Sequence, residues 1–205
     1  MSVLEGLTFY WVSWFFWIAA TFFMDKNHHS RFALSLYLLL LIIASPYTIA
    51  LFDFDLSIAG LFLCCPLFYF ASRLDWQKMI YLFICSFIIM LAYVCFHLFE
   101  LFDPVWLIFP RNWMLAVILL IMSLLLHGKK RYRLFIVVLG SLQGEFLYAL
   151  ILSEYSFPYV IASLAFLDVL SLSAILLALW NGIEFLASFY ERHFNLLERE
   201  KQKLS

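Results

Sequence analysis

An all-α integral membrane fold, a bundle of seven transmembrane helices, follows from three observations on this sequence. Of its 205 residues, 66% are hydrophobic and only 13% are charged, about half the charge of an ordinary soluble domain. Mean hydropathy is +0.97. The few charges are clustered, and they cut the chain into apolar runs close to the roughly 20 residues that a helix needs to cross a bilayer. A soluble globule needs a polar skin, and 24 Phe, 11 Tyr and 7 Trp leave little chain from which to build one.

The runs are 7–24, 32–52, 56–72, 79–99, 106–126, 134–152 and 160–182, joined by DKNHHSR, DFD, RLDWQK, ELFDPVW, HGKKRYR and SEYSFPY. Connections this short make consecutive helices antiparallel neighbours, so residues 1–182 read as one transmembrane domain. In the first run Trp11, Trp14 and Trp17 recur every third residue. Helical spacing gathers them on one face, and aromatic packing against neighbours is expected, with the outermost ring at the headgroups. The second run holds Ser45-Pro46-Tyr47 and the third Cys64-Cys65-Pro66. A proline removes one helical hydrogen bond and frees the carbonyl four residues earlier, so both helices are expected to bend.

The fourth run ends near His97, Glu100 and Asp103. His97 and Glu100 share a helix face, but two ligands at that spacing make a weak metal signal, and no metal site is assigned. Pro104, Pro110 and Arg111 interrupt the approach to the fifth run, so 104–112 either spans or lies in the interface, where Trp is favoured. Residues 183–205 carry Ile183, Leu186, Tyr190 and Leu197 at roughly helical spacing, with charges between them. They read as a cytoplasmic amphipathic tail that continues the last helix.

Charge placement sets the expected orientation. Seven crossings put Lys26, Arg31, Arg73, Lys78, Lys129, Lys130, Arg131, Arg133, Arg192, Arg199, Lys201 and Lys203 on one side and leave only Arg111 on the other. The basic side is cytoplasmic by the positive-inside rule, so the N-terminus is expected outside and the C-terminus inside.

The candidate site lies in the last hairpin. Residues 139–152 read LGSLQGEFLYALIL, an apolar stretch with Gln143 and Glu145 set into it, and the next helix carries Asp168. Counting from the hairpin turn at 1.5 Å per residue puts Glu145 and Asp168 at nearly the same depth on adjacent helices. A charged carboxylate there costs on the order of 3 kcal/mol, and two close carboxylates repel. At least one is therefore expected to be protonated and to donate to Gln143, Ser141, Ser171 or its partner carboxylate. Such a pair either clamps two helices together or moves a proton or cation. Gly140 and Gly144 form a GxxxG pair on the same helix, which suits close approach of a partner helix.

Other classes lack support. A net charge of −1 gives no electrostatic case for nucleic acid. Cys64, Cys65, Cys85 and Cys95 lie in apolar runs without zinc or disulfide spacing, and read as reduced, buried side chains. The N-terminus lacks the basic segment of a cleavable signal peptide. HExxH, GxSxG, phosphate-loop and dinucleotide patterns are missing, so neither an enzyme nor a cofactor is expected.

The opening LTFYWVSWFFWIAATFFMDKNHHSRF resembles the start of the YphA family of Bacillus-type bacteria, short polytopic proteins with a similar hydrophobic pattern over most of this length. The resemblance implies a multi-pass protein of the cell membrane of a spore-forming bacterium. It brings no activity and no site residues. The leading expectation is a non-enzymatic accessory or interaction protein whose partners are membrane lipids, other membrane proteins or itself. The alternative is a proton- or cation-coupled transporter or channel-like protein using Glu145 and Asp168.

Overall fold

The computed structural model describes residues 5–24, 30–51 and 54–204, with side-chain packing followed as far as Glu191. Lys26, Asp53 and the basic side chains of the tail therefore lie outside the described set. Among the described residues seven α-helices form the body: α1 Leu7–Ile18, α2 Ser30–Ala44, α3 Ile58–Ala71, α4 Trp76–Phe102, α5 Arg111–Leu126, α6 Lys130–Glu154 and α7 Leu164–Leu204. Helix α1 continues as one π-helical turn, Ala19–Phe23. By length and composition α4, α6 and the Leu164–Glu191 part of α7 suffice to cross a membrane, whereas the other apolar helices are shorter. Large apolar side chains such as Phe22, Phe68, Phe99 and Leu125 face outward, as the surface of a bundle solvated by lipid tails should.

The core is built on the close approach of α4 and α6, and glycine sets that distance. A Cβ on Gly140 would come within 2.7 Å of the Ile89 side chain and the Ser86 carbonyl oxygen. One on Gly144 would come within 2.6 Å of the Tyr93 ring. The GxxxG pair therefore seats α6 on α4. Helix α7 packs against both α1 and α5, and Leu115, Leu119, Ile136 and Leu167 are buried between the helices.

The second run departs most from expectation. Helix α2 stops at Ala44, and strands β1 Thr48–Leu51 and β2 Phe54–Ser57 form an antiparallel hairpin. Pro46 does not bend this helix; it helps to end it. Proline lacks an N–H and pushes the preceding residue away from helical geometry. A third strand, β3 Val160–Ile161, pairs in parallel with β2, with Asp55 opposite Val160 and Leu56 opposite Ile161. The last helix thus begins at Leu164 rather than 160. The sheet covers backbone at the helix ends that would otherwise lack partners.

Pro66 lies inside α3. The carbonyl it frees belongs to Phe62, and the Tyr37 hydroxyl of α2 donates to that oxygen at 3.2 Å. Segment 104–112 does not extend α5: Pro104–Trp106 is a 3-10 turn, and the helix starts at Arg111. The tryptophan stripe turns outward, with Trp11 73% and Trp14 45% exposed. Trp14 meets Trp17 edge-on at 5.5 Å, but the face as a whole looks toward lipid. All four cysteines are free; only Cys85 is buried, and Cys65 and Cys95 are exposed on the apolar surface.

Candidate functional site: two buried carboxyls and the polar cavity beside them

Helix α6 presents Glu145 and α7 presents Asp168 inside the bundle, 1% and 2% exposed respectively. Each oxygen of Asp168 accepts one backbone N–H from the start of α1: Gly6 N at 2.7 Å and Phe9 N at 2.8 Å. These are the cap and the third position of the first turn, whose N–H groups have no partner within their own helix. Gly6 has no side chain to cap them, and it adopts a left-handed backbone with φ 88°. Asp168 is therefore a helix cap supplied from another helix, and it ties α1 to α7. A carboxylate also suits the positive end of the α1 dipole.

Glu145 takes a separate set of donors. Oε1 accepts from the Tyr93 hydroxyl and, at 2.9 Å, from the Tyr159 hydroxyl, while Oε2 accepts from Ala162 N at 2.9 Å. Tyr93 lies on α4 and Ala162 in the connection between β3 and α7, so Glu145 joins three parts of the chain. Ala162 has a φ of 56°, a left-handed conformation that costs on the order of 1–3 kcal/mol for a residue with a side chain. A Cβ on Gly60 would sit 2.6 Å from the Ala162 methyl, so Gly60 makes room for that strained turn. The sheet holds the segment so that its N–H points at Glu145.

The expected Glu145–Asp168 pair does not form. Both acids are buried on adjacent helices, but they accept from different groups and belong to two networks. The shared proton rests on a facing pair, and that geometry is absent. Gln143 joins neither network. Its Oε1 accepts from Ser86 Oγ at 3.3 Å, and it lines an apolar groove between α3 and α6. Ser141 and Ser171 donate to carbonyls of their own helices, which leaves them with no role at either carboxyl.

A polar cavity of about 280 Å³ adjoins the Glu145 network, lined by His97, Glu100, Leu101, Arg111, Tyr148 and Tyr159. Glu100 faces an imidazole and a guanidinium at 3.5 Å, with Oε2 toward His97 Nδ1 and Oε1 toward Arg111 Nη1. Both separations are too long for closed hydrogen bonds. The His97 ring lies among Tyr93 and Tyr148, with centroids at 4.5 and 5.1 Å. Its Nε2 is enclosed without a hydrogen-bond partner, a cost of about 1–3 kcal/mol wherever nothing else satisfies it. No cluster of three or more His, Cys, Asp or Glu able to hold a metal occurs among the described residues.

At the opposite end a different kind of buried charge closes the bundle. Arg133, 6% exposed, donates from Nε to the His127 carbonyl at 2.9 Å, and from Nη1 to Asn181 Oδ1 at 3.0 Å and Glu184 Oε1 at 2.8 Å. Trp180 Nε1 donates to the same Glu184 oxygen at 2.7 Å, and Lys130 Nζ to the Asn181 carbonyl at 2.9 Å. Lys78 and Lys129 line one cavity with His127 at this end, so residues from two of the basic segments gather there. In the sequence Arg133 is one of several loop cations, and nothing marks it as the one that packs inward.

Comparison with known proteins agrees with these features. The YphA-like integral membrane protein family matches residues 5–203. The chain is 31% identical over 186 residues to the protein named "Uncharacterized protein YphA" of Bacillus subtilis (strain 168), covering 90% of this chain and 92% of that one. No solved structure matches.

Proposed function

Because the chain belongs to the YphA-like integral membrane protein family, we propose that it acts as a non-enzymatic, multi-pass protein of the bacterial cell membrane, working through contacts with lipid or other membrane proteins. In this reading seven helices cross, with the N-terminus outside and the C-terminus in the cytoplasm. The gathering of Lys78, Lys129, Lys130 and Arg133 at one end supports that orientation.

One observation carries the choice over transport. All four oxygens of Glu145 and Asp168 accept hydrogen bonds that hold helices together. A carboxyl that must bind and release a cation or proton needs an acceptor not already committed to the fold. The direct test is reconstitution of the full chain in vesicles, under a pH gradient and separately under a sodium or potassium gradient. Flux is expected to match empty vesicles. A gradient-driven flux that Glu145→Gln and Asp168→Asn abolish, with folding intact, would replace this reading by transport. A reporter fused after Ser205 is expected to be active in the cytoplasm.

A further inference from the structure

From the cavity lined by His97, Glu100 and Arg111, we infer a binding site for a zwitterionic ammonium–phosphate lipid headgroup, with an acyl chain along α5. The inference deepens the reading of a protein that works through lipid contacts, and it rests on that reading.

The cavity offers both halves of a zwitterion a place. Glu100 lies between His97 and Arg111 at 3.5 Å from each, so both pairings have slack that a ligand can take up. Arg111, with 40% of its side chain exposed, is free to turn its guanidinium to a phosphate, where planar two-point hydrogen bonding is strongest. Glu100 is then released to an ammonium. The His97 ring stands against Glu100 in one wall of the cavity. The Tyr159 hydroxyl hydrogen is committed to Glu145, so its oxygen is left as an acceptor. The Tyr148 ring completes an acceptor-rich, aromatic wall, which suits a cation further.

The surroundings favour a lipid over a free solute. An apolar groove of about 630 Å³ runs along α5 from Phe109 and Pro110 to Ile118, beginning at the residues next to Arg111. A headgroup held by Arg111 thus has a tail path on the same helix. Trp113 stands at its upper end, half-exposed, at the position where amphipathic rings settle in an interface.

The test uses the purified full chain in a neutral detergent, with thermal unfolding followed against added ligand. Short-chain phosphatidylethanolamine is compared with phosphatidylglycerol of the same chains, and with glycerophosphoethanolamine, which lacks them. The ethanolamine lipid is expected to half-saturate at a concentration about tenfold lower than the glycerol lipid, the effect of one charge-assisted hydrogen bond. Glu100→Gln is expected to erase that difference, while Arg111→Gln, which removes the contact to the phosphate that both lipids carry, is expected to weaken the response to both. Equal responses to the two lipids, a preference that survives Glu100→Gln, or responses to both that Arg111→Gln leaves unchanged, overturn the site. A response to the chain-free headgroup as strong as to the lipid overturns the lipid assignment. Should Glu100→Gln fold poorly, the weakened response of Arg111→Gln to both lipids still tests the site. Flux measurements bear on the proposed function alone, so a transporter that keeps this lipid preference would sink that reading and leave the site standing.

Discussion

The carboxyl end and the arginine end of the bundle solve one problem in opposite ways. Glu145 and Asp168 are buried with neutral donors only: backbone N–H groups and phenols. Arg133 is buried with carbonyls, an amide and an opposite charge, Glu184. The difference follows from where each group sits. Free backbone N–H groups occur where helices start, and free carbonyls where they end. Both acids lie against helix starts, at Gly6–Phe9 and at the turn before α7. Arg133 lies against the carbonyls that close α5 and its loop. An ionisable residue inside a membrane protein is therefore no pointer to transport until its partners are known.

Asp168→Asn is the strongest way to break this comparison. An amide turns a donor toward one of the two α1 N–H groups, and a stability loss of about 2–3 kcal/mol is expected, with the Gly6 and Phe9 amides exchanging faster in hydrogen–deuterium measurements. No loss would mean that the carboxylate is not the cap described. Gly144→Ala tests the neighbouring network through packing. The added methyl meets the Tyr93 ring at 2.6 Å, and overpacking of that kind costs about 2 kcal/mol, read as a lower unfolding midpoint. If Tyr93 adapts at no cost, its bond to Glu145 is not held by the helix spacing.

Glu184→Gln addresses the arginine end. Glu184 is 31% exposed, so solvent screening limits the expected loss to about 1 kcal/mol, smaller than for Asp168→Asn. A larger loss here would reverse the ranking of the two ends. Tyr37→Phe tests the same partner rule without any charge. It leaves the Phe62 carbonyl without its donor and should cost about 1 kcal/mol, while Tyr37→Phe combined with Pro66→Ala should regain most of it.

The smallest effect is a pH dependence at the arginine end. Burial, with Lys129 and Arg133 beside it, holds His127 below the ordinary imidazole range, and its Nδ1 accepts from Lys129 N at 3.0 Å. The folded state thus favours the neutral ring and the unfolded state binds the proton more readily. Its contribution is present above the ordinary imidazole value and is lost as pH falls through that range toward the lower folded value. A slight destabilisation between neutral pH and mildly acidic pH, absent in His127→Gln, checks this.

Much of the architecture was legible in the residues. Apolar runs between charge clusters located the seven helices, and Gly140 with Gly144 marked a close helix contact. The hairpin at 48–57 also left a trace: FDFDLS alternates apolar and polar residues from Phe52 to Ser57, the period of a strand. High hydropathy hid it, because an apolar strand and an apolar helix end look alike over so few residues. The partners of the two acids were less accessible. An intramembrane tyrosine such as Tyr93 asks for a hydrogen-bond partner, but no spacing rule says which one.

The sequence by itself determined the solvent of this protein and the order of its helices, because hydrophobic burial and loop length depend on composition and distance along the chain. It also placed Glu145 and Asp168 inside the bundle. Only the tertiary structure decided that they take separate partners. That outcome depends on where helix starts from distant parts of the chain, Gly6 and Ala162, come to lie against α7 and α6, and hydrogen bonds are directional over about 3 Å. No pattern along the sequence carries that length scale.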